Sequence, residues 1–408
     1  MLILEMISLA SLMFWVLLTL DRPRSWPTEV ILPDIQIDHA DDELGTVVAI
    51  VPARNEAEIL PSTLPTLLGQ GVEGMRVVLV DDGSSDDTAQ VAHRLAENSG
   101  LGQNLVVVEG GARMEGWSGK VHALLRGYVT VVEDAVERGI EPPEWLLLTD
   151  ADIRHRPGSV RTLLCQAHGK GSEGPFDLVS VMARLRAEGF WERLIVPAFV
   201  FFFQLLYPFR RVAHRRSRVA AAAGGCVLVR RTTLEDAGGF AAIGGEIIDD
   251  VALGRVIKRR GGRVWLGLDP GIVSMRAYPS LIDLWSMISR TAFNQLRYRW
   301  DLLVFTQVAL AVFLVSPPLI LSAGAVLAVT SNLADPWSLM RAMFWALAAW
   351  TLMGLAYLPA IRYHRVPPVW AASLPMAALL FGLITAGSAV DHLRGKGSVW
   401  RGRTYGPS

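Results

Sequence analysis

Apolar positions form long runs at the two ends of this chain and short runs through its middle. Residues 2–20 are apolar apart from Glu5, and the run is long enough to cross a bilayer. It lacks the basic start and the small-residue cleavage site of a signal peptide, so we predict a retained anchor. Three more such runs lie at about 303–330, 340–361 and 369–390. The pattern therefore predicts an integral membrane protein.

The charges beside these runs predict an orientation. Arg22 and Arg24 follow the first run, and the positive-inside rule then places the next part of the chain in the cytoplasm. The loop 331–338 has no Lys or Arg and is expected outside, whereas the loop 362–365 carries two Arg and is expected inside.

The last run conflicts with this rule. A full crossing over 369–390 would put the basic tail, residues 392–408, on the outside. Either the last run is re-entrant, or the run at 303–330 is broken into a hairpin at Ser316-Pro317-Pro318, or the rule fails here. The sequence leaves these alternatives open.

A further apolar stretch, Phe190–Phe209, is rich in aromatic residues and is interrupted by Pro197. Five Arg follow it between residues 210 and 218. We predict an interfacial segment near 190–218, with its Arg side chains toward anionic headgroups. A buried core helix is the alternative.

The middle of the chain alternates short apolar runs with helical patterns. Continuous apolar strands separated by helices predict an α/β fold with a mostly parallel, doubly wound sheet, which binds ligands at the carboxyl ends of its strands. The predicted strands are 47–51, 77–80, 105–108 and 145–148, and the predicted helices are 58–68, 88–95 and 121–136.

Composition narrows the class of function. The 408 residues have a formal net charge of zero, without the basic stripe that nucleic-acid binding requires, so no nucleic-acid partner is predicted. Two cysteines, Cys165 and Cys226, are too few for a disulfide framework in a chain of this length. They are expected to be free thiols in a reducing compartment.

Acidic residues follow three of the four predicted strands. The segment Pro52–Glu56 follows the first, Asp81 and Asp82 follow the second, and Asp150 and Asp152 follow the fourth. Like charges gathered at one edge are costly unless something positive or rich in hydrogen-bond donors fills the cleft. A nucleoside diphosphate with a divalent metal meets that need.

These acids are assigned by position. Asp150 and Asp152 flank one small residue and can turn toward a common Mg²⁺ or Mn²⁺, which prefers oxygen ligands. Asp81 or Asp82 can accept hydrogen bonds from a base and from ribose hydroxyls. Ser85 and Asp86 are predicted mainly to cap the following helix.

Rival nucleotide motifs fail. The first strand is not followed by Gly-x-Gly-x-x-Gly, and the segment ending in Gly119-Lys120 has Met114 and Val121 where a phosphate-binding loop requires Gly and Ser or Thr. Lys120 is therefore not a Walker lysine. Pairing with a pyrophosphate and a solvated position at a helix start are both open for it.

Together these motifs resemble those of the family 2 glycosyltransferases, which have the GT-A fold. The resemblance covers about residues 46–300, and Asp249 stands in the Glu position of that family's Glu-Asp motif. The segments that carry it are Val51–Glu56, Val80–Thr88, Gly116–Lys120, Asp150–Asp152 and Gly245–Leu253.

Within that family the chain is most similar to the hopene-associated glycosyltransferases, and less so to the ceramide glucosyltransferases. This resemblance rests on the flanking membrane segments and on four motifs: Trp117–Lys120, Gly224–Cys226, Arg290–Tyr298 and Trp400–Arg403. It implies a lipid acceptor, such as a hopanoid or a long-chain lipid alcohol. The implied organisation is an anchor at 1–21, a GT-A domain at 45–300, membrane helices at 302–391 and a basic tail at 392–408.

The resemblance also implies the roles of individual residues. The implied reaction is an inverting transfer from a nucleotide-sugar, with a UDP-sugar as the expected donor, Asp250 as general base, Asp249 assisting it, and Asp152 holding the metal. Asp150 helps to bind the nucleotide-sugar and shares the metal. The remaining residues implied to bind the nucleotide-sugar are Pro52, Arg54, Glu56, Asp81, Asp82 and Lys120.

One motif departs from the pattern. Processive polysaccharide synthases of this family carry Gln-x-x-Arg-Trp, whereas one extra residue separates Gln295 from Arg299-Trp300 here. The departure favours a single transfer to a lipid-like acceptor over processive synthesis. Gln295, Arg297, Trp300 and Gly225 are expected on the acceptor side, although Arg and Trp are also common at membrane interfaces.

Three other functions are consistent with parts of the sequence. One is a catalytically silent lipid-binding scaffold with a transferase fold, one is a processive polysaccharide synthase, and one is a nucleotidyltransferase. The products separate transfer from two of them, because a scaffold releases nothing and a nucleotidyltransferase releases pyrophosphate rather than nucleoside diphosphate. The sequence does not indicate an oligomeric state.

Overall fold

The computed structural model describes residues 2–25, 30–32, 44–169, 174–330, 335–395, 398–400 and 403–405. Its strands are β1 Val47–Ala53, β2 Arg76–Asp81, β3 Leu105–Glu109, β4 Trp145–Thr149, β5 Ile153–Arg154, β6 Leu178–Arg184, β7 Cys226–Arg230, β8 Val264–Ser274, β9 Ser398–Trp400 and β10 Arg403–Tyr405.

Its α-helices are α1 Leu2–Ser25, α2 Leu60–Leu68, α3 Thr88–Asn98, α4 Gly119–Glu137, α5 Ser159–Ala167, α6 Phe190–Leu206, α7 Phe209–Ala213, α8 Arg231–Asp236, α9 Asp249–Arg259, α10 Leu281–Gln295, α11 Trp300–Leu310, α12 Ser316–Thr330, α13 Pro336–Tyr363 and α14 Leu374–Leu393. A π-helical turn, Ala311–Val315, joins α11 to α12, and 3₁₀ turns lie at Gly102–Asn104, Gly239–Ile243 and Pro368–Ser373.

Strands β1 to β8 form one mixed sheet in the order β3-β2-β1-β4-β7-β6-β8-β5. The pairs β1–β2, β1–β4, β2–β3 and β6–β8 are parallel, whereas β7 runs antiparallel to β4 and β6, and β5 antiparallel to β8. Helices cover both faces, because the strands carry apolar side chains on both sides. The predicted α/β fold is confirmed, with long apolar helices in the N-terminal and C-terminal regions, and each predicted strand and helix of its first half is present with shifted ends.

The parallel arrangement brings the carboxyl ends of β1, β2 and β4 to one edge. Ala53 lies opposite Asp81 in the ladder, and the Asp82 amide continues it by donating to Ala53 O at 2.9 Å. The segments that follow these strands therefore meet in one cleft, which is the ligand-binding edge of such sheets.

Among the described residues, four helical segments are long and apolar enough to cross a membrane: Leu2–Asp21, Trp300–Thr330, Pro336–Tyr363 and Pro368–Leu393. The segment from Trp300 is helical through Ser316-Pro317-Pro318, so the alternative of a hairpin there is wrong. The π turn lies directly before the two prolines. Its wider geometry accommodates residues that lack a backbone N–H and whose rings crowd the preceding helical turn.

One end of the helical bundle is built by α1, α12 and α13. Glu5 accepts a hydrogen bond of 2.7 Å from Arg341 Nε, and Ser338 donates to the same carboxylate at 3.2 Å. An apolar cluster of Ile320, Ala342 and Ala346 packs beside this pair. Loop residues 331–334, predicted to lie outside, are not among the described residues.

Near both of its ends, helix α14 contacts residues that come before the apolar segment starting at Trp300. Trp370, just before it, contacts the Phe190 ring at 5.3 Å between centroids, and His392 near its end stacks on Tyr298 at 4.3 Å. Gln307, in the first half of its apolar segment, donates to Gly382 O at 2.9 Å. These contacts place α14 beside α6 and α11.

The stretch predicted to lie in the interface is a helix packed between the sheet and the apolar helices. Phe201 on α6 contacts Trp15 of α1 at 6.4 Å and Tyr357 of α13 at 5.3 Å. The alternative of a buried helix therefore describes the packing of its middle, where residues such as Ile195, Val196 and Phe201 are buried against protein, whereas Phe190 and Leu206 near its ends are exposed. Arg211 in the following basic segment lies 3.3 Å from Asp21 at the end of the first apolar run.

Candidate active site

The loops after β1 and β2 are fastened to each other. Asn55 has a left-handed backbone, with a φ of 52°, and its side-chain oxygen accepts a hydrogen bond of 2.8 Å from the Ser85 amide. The Asn55 amide donates to Ser84 Oγ at 3.0 Å. A left-handed non-glycine residue is costly, and Asn tolerates it better than most residues. These bonds hold both loops in the shape of the cleft.

Arg54 and Asp82 lie at the back of this cleft. Arg54 Nη1 donates to Asp82 O at 2.9 Å and lies 3.8 Å from the Asp82 carboxylate, which is buried. Asp81 accepts a hydrogen bond of 2.8 Å from the Ser84 amide. The structure thus brings together three of the residues expected to bind a nucleotide-sugar.

The capping prediction is half right. Asp86 Oδ1 accepts a hydrogen bond of 3.1 Å from the Thr88 amide, at the first residue of α3. Ser85 does not cap this helix, because its hydroxyl and amide both donate to Asn55 Oδ1. Its side chain serves the contact between the two loops instead.

Lys120 is half-buried and ion-paired, so the alternative of a solvated lysine is wrong. Ser118 caps α4 by accepting from the Val121 amide at 3.2 Å, and Lys120 Nζ then lies 2.8 Å from Asp150 Oδ1 and 3.5 Å from Asp249 Oδ2. Burial disfavours its charge, but the carboxylates outweigh burial and raise the pKa of Lys120 above its usual value.

Asp249 and Asp250 begin α9, where the helix dipole favours negative charge. Asp250 Oδ2 accepts a hydrogen bond of 2.7 Å from the Gly224 amide, and Oδ1 accepts one of 2.7 Å from Val251. Burial and the neighbouring Asp249 raise the pKa of Asp250 to about 6, against the opposing effect of Lys120. Such a carboxylate is charged at neutral pH and is suited to accept a proton.

The loop before α9 is fastened to the loop before α4. Ser118 donates its amide to Gly244 O at 2.7 Å, and a Cβ at Gly244 would lie 2.7 Å from the Trp117 ring. Only glycine allows the indole to approach this closely. The contact fixes Lys120 relative to the acids of α9.

The groups on the two sides of the cleft line one small cavity. Its polar and charged lining residues, together with Pro52 and Gly224, are Lys120, Thr149, Asp150, Asp249 and Asp250. The donor-side residues Pro52, Lys120 and Asp150 are thus brought together with the predicted base.

A fourth strand end, which the sequence prediction missed, also enters the cleft. Arg276 follows β8, and its Nε lies 3.0 Å from Asp152 Oδ2 while its Nη2 donates to both Glu56 oxygens at 2.9 Å. Ser274 Oγ donates to Asp152 Oδ2 at 3.1 Å. The available signal was the position of Arg276 shortly after the second apolar run of β8, Ile272-Val273.

A divalent metal fits this charge distribution. Within the described residues no cluster of three or more His, Cys, Asp or Glu is arranged to hold one, but Mg²⁺ and Mn²⁺ are often bound by one or two carboxylates together with substrate phosphates. Asp150 and Asp152 provide that pair. Carboxylates also exceed cations in the cleft: the acids are Glu56, Asp82, Asp150, Asp152, Asp249 and Asp250, and the cations are Arg54, Lys120 and Arg276.

The residues expected on the acceptor side fall into two places. Gly225 lies with the donor-side acids, because its carbonyl oxygen accepts from the Asp150 amide at 3.3 Å. Gln295, the last residue of α10, donates a hydrogen bond to the Tyr207 hydroxyl. Arg297 occupies a left-handed conformation with a φ of 54°, and Trp300 packs on Phe293 at 5.1 Å. The three therefore border the turn between α10 and α11.

The fold and these groups define a glycosyltransferase of the nucleotide-sugar-dependent class. The sequence model of glycosyl transferase family 21 matches residues 84–406, which is most of the chain, and the chain belongs to this family. The prediction of a glycosyltransferase with a GT-A fold similar to family 2 is confirmed. The hopene-associated subtype stays a prediction.

Known proteins resemble the chain to different extents. Poly-β-1,6-N-acetyl-D-glucosamine synthase of Staphylococcus aureus is 33% identical over 67 residues, which are 16% of this chain and 15% of that protein. The chain thus matches only a small part of the length of this curated relative.

Two solved structures are similar in fold. The mannosyltransferase PcManGT from Pyrobaculum calidifontis, in complex with GDP-Man and Mn²⁺, is 20% identical, with 92% of this chain and 99% of that chain covered and a TM-score of 0.48. Glucosyl-3-phosphoglycerate synthase from Mycobacterium tuberculosis, in complex with Mn²⁺, UDP-Glc and phosphoglyceric acid, is 18% identical, with 65% and 87% covered and a TM-score of 0.40.

Proposed function

We propose that this glycosyltransferase moves a sugar, with inversion, from a nucleotide-sugar to the hydroxyl group of a membrane lipid. A UDP-sugar is the proposed donor, and a hopanoid or a long-chain lipid alcohol is the proposed acceptor. The observation that carries the proposal is Lys120, which bridges Asp150 on the donor side and Asp249 beside the base.

The chemistry follows from these positions. Asp250 takes the proton of the acceptor hydroxyl, whose oxygen attacks the anomeric carbon as the bond to the diphosphate breaks on the opposite face. Negative charge then develops on the leaving nucleoside diphosphate. Lys120 is a fixed cation in the cleft that can offset this charge, since its ion pairs already hold it in place.

Asp152 and Asp150 are the residues that would hold a divalent metal, Mn²⁺ or Mg²⁺. When bound, the ion acts as a Lewis acid on the leaving diphosphate. Arg54, Asp81 and Asp82 lie deeper at the ends of β1 and β2 and are proposed to bind the nucleoside.

The acceptor is proposed to reach Asp250 from the membrane side. Lys258 on α9 donates to the carbonyl oxygens of Val212 and Val219 at 2.6 and 2.7 Å, which fastens the base-bearing helix to the basic segment after α6. Tyr207, at the end of α6, bonds Gln295 at the turn before the apolar segment that starts at Trp300. A lipid hydroxyl at this level would lie between the turn and α9.

We further propose a topology with three crossings and a cytoplasmic catalytic domain. Both ends of α14 contact catalytic-domain elements, so α14 is proposed to be re-entrant and the basic tail to stay on the catalytic side. This arrangement removes the conflict with the positive-inside rule.

The function is tested by incubating the purified protein in detergent with membrane lipid extract and a panel of nucleotide-sugars. Each donor is used with Mn²⁺, with Mg²⁺ and with a chelator, and the released nucleotide is identified. Metal-dependent release of nucleoside diphosphate, with sugar appearing in the lipid fraction, supports the proposal. Release of pyrophosphate, a polymeric product, or no turnover of any donor contradicts it.

A further inference from the structure

Arg276 is held at the edge of the sheet by acids from two other strand ends. Its Nε pairs with Asp152 after β4, and its Nη2 pairs with Glu56 after β1. Both acids are nearly buried, with exposures of 9% for Asp152 and 7% for Glu56. The guanidinium therefore balances two carboxylates that would otherwise be costly to place there.

The ion pairs use only part of the guanidinium group. Nε and Nη2 donate to the acids, whereas Nη1 makes no hydrogen bond to the part of the chain that the structure describes. The Arg276 side chain is 26% exposed, so solvent reaches it at the edge that carries Asp150 and Asp152. An arginine fixed in this way presents an oriented donor to an anion, and diphosphate oxygens suit it.

We infer that Arg276 is a donor-site residue with two tasks. It binds the diphosphate of the nucleotide-sugar through Nη1, and it positions Asp152, the second acid of the Asp-x-Asp motif, through Nε. Glu56 acts through Arg276, since both of its oxygens accept from Nη2. This inference rests on the proposed function for the identity of the ligand.

The test compares Arg276→Lys with Arg156→Lys. Arg156 Nε lies 2.9 Å from Asp269 Oδ2, an ion pair of the same kind between a loop residue and β8, and neither residue is assigned to the proposed donor site. Both variants keep the positive charge and lose the fork of the guanidinium group. Arg156→Lys therefore reports how much of any effect is a general loss of stability.

Binding of UDP and of GDP to the full-length protein in detergent is measured by calorimetry, and Mn²⁺ binding by electron paramagnetic resonance. Arg276→Lys is expected to weaken nucleotide binding at least tenfold and to weaken Mn²⁺ binding, while Arg156→Lys binds both as the wild type does. Glu56→Gln keeps the Arg276–Asp152 pair and is expected to lose less than Arg276→Lys.

Three results would overturn the inference: wild-type binding by Arg276→Lys, an equal loss in Arg156→Lys, or a wild type that binds neither nucleotide. Failure of the proposed function can be distinguished from failure of this inference. If the wild type transfers no sugar but the variants still differ in nucleotide binding as expected, the transfer is wrong and Arg276 remains a nucleotide ligand.

Discussion

Lys120 Nζ lies 3.5 Å from Asp249 Oδ2, and this contact joins the donor side of the cleft to the acids that begin α9. Removing the ammonium group with Lys120→Met leaves Asp150 and Asp249 without their shared cation. We expect nucleoside diphosphate to bind about tenfold or more weakly, because charge-assisted pairs are the strong ones in a partly buried site. Calorimetric titration checks this, and unchanged affinity would mean that Lys120 serves only the packing of α4.

The pH dependence of transfer reports on Asp250. Its pKa is raised to about 6, and the base must be deprotonated, so kcat/KM is expected to rise with pH through about 6. Asp249 contributes to the raised value, so in Asp249→Asn the rising limb moves to lower pH. Initial rates between pH 4.5 and 8 measure the rising limb for the wild type and for Asp249→Asn. A limb that does not move in Asp249→Asn would contradict the effect of Asp249 on the pKa of Asp250.

The glycine at position 244 is required by the Trp117 ring. A methyl group in Gly244→Ala would lie 2.7 Å from two ring atoms, and such overpacking costs about 1–3 kcal/mol. We expect a lower melting temperature and a lower rate of transfer, because the methyl group pushes apart the loops that precede α4 and α9, the helices that carry Lys120 and Asp250.

Gly102→Ala is the matched control for that change. A Cβ there meets its nearest described atom at 3.9 Å, an ordinary contact. The account of the Trp117 contact is contradicted if Gly244→Ala and Gly102→Ala have the same melting temperature and activity.

The proposed topology predicts which residues a reagent can reach. Val329 and Leu393 are 87% and 67% exposed, and both native cysteines are buried, so single cysteines at these positions can be labelled against a low background. In intact cells, an impermeant maleimide is expected to label Val329→Cys but to label Leu393→Cys only after permeabilisation. Equal labelling of both in intact cells would show that α14 crosses the membrane.

The first half of the sheet could be predicted because its information is local. Apolar runs such as Val47–Val51 and the acids directly after them identify strands and strand ends, and parallel βαβ units then fix which ends share an edge. The same reasoning predicts Asp81, Asp82, Asp150 and Asp152 at this edge.

The rest depends on contacts between distant parts of the chain. Arg276 reaches Glu56 across 220 positions of sequence, and this contact depends on β8 pairing with β5, which directly follows Asp152. Apolar periodicity could not separate an interfacial α6 from a packed one, because both bury apolar side chains. The direction of α14 likewise depends on the Tyr298–His392 stacking, which length and hydropathy do not encode.

Asp250→Asn is the most direct test of base catalysis. The change keeps the size of the side chain and removes its capacity to accept a proton, so loss of a general base should cost about 10²–10⁴-fold in rate. Asp236→Asn, at an exposed position on the neighbouring α8, is the control. Nucleotide affinity is measured alongside, to show that the donor site is intact.

The deciding measurement is the transfer of labelled sugar into extracted lipid by wild type and Asp250→Asn, with the donor that the wild type cleaves fastest. We expect equal amounts of glycolipid and nucleoside diphosphate from the wild type, and almost none of either from Asp250→Asn, although this variant binds the nucleotide normally. Wild-type rates of lipid labelling in Asp250→Asn, or nucleotide release by the wild type without any labelled lipid, would contradict it.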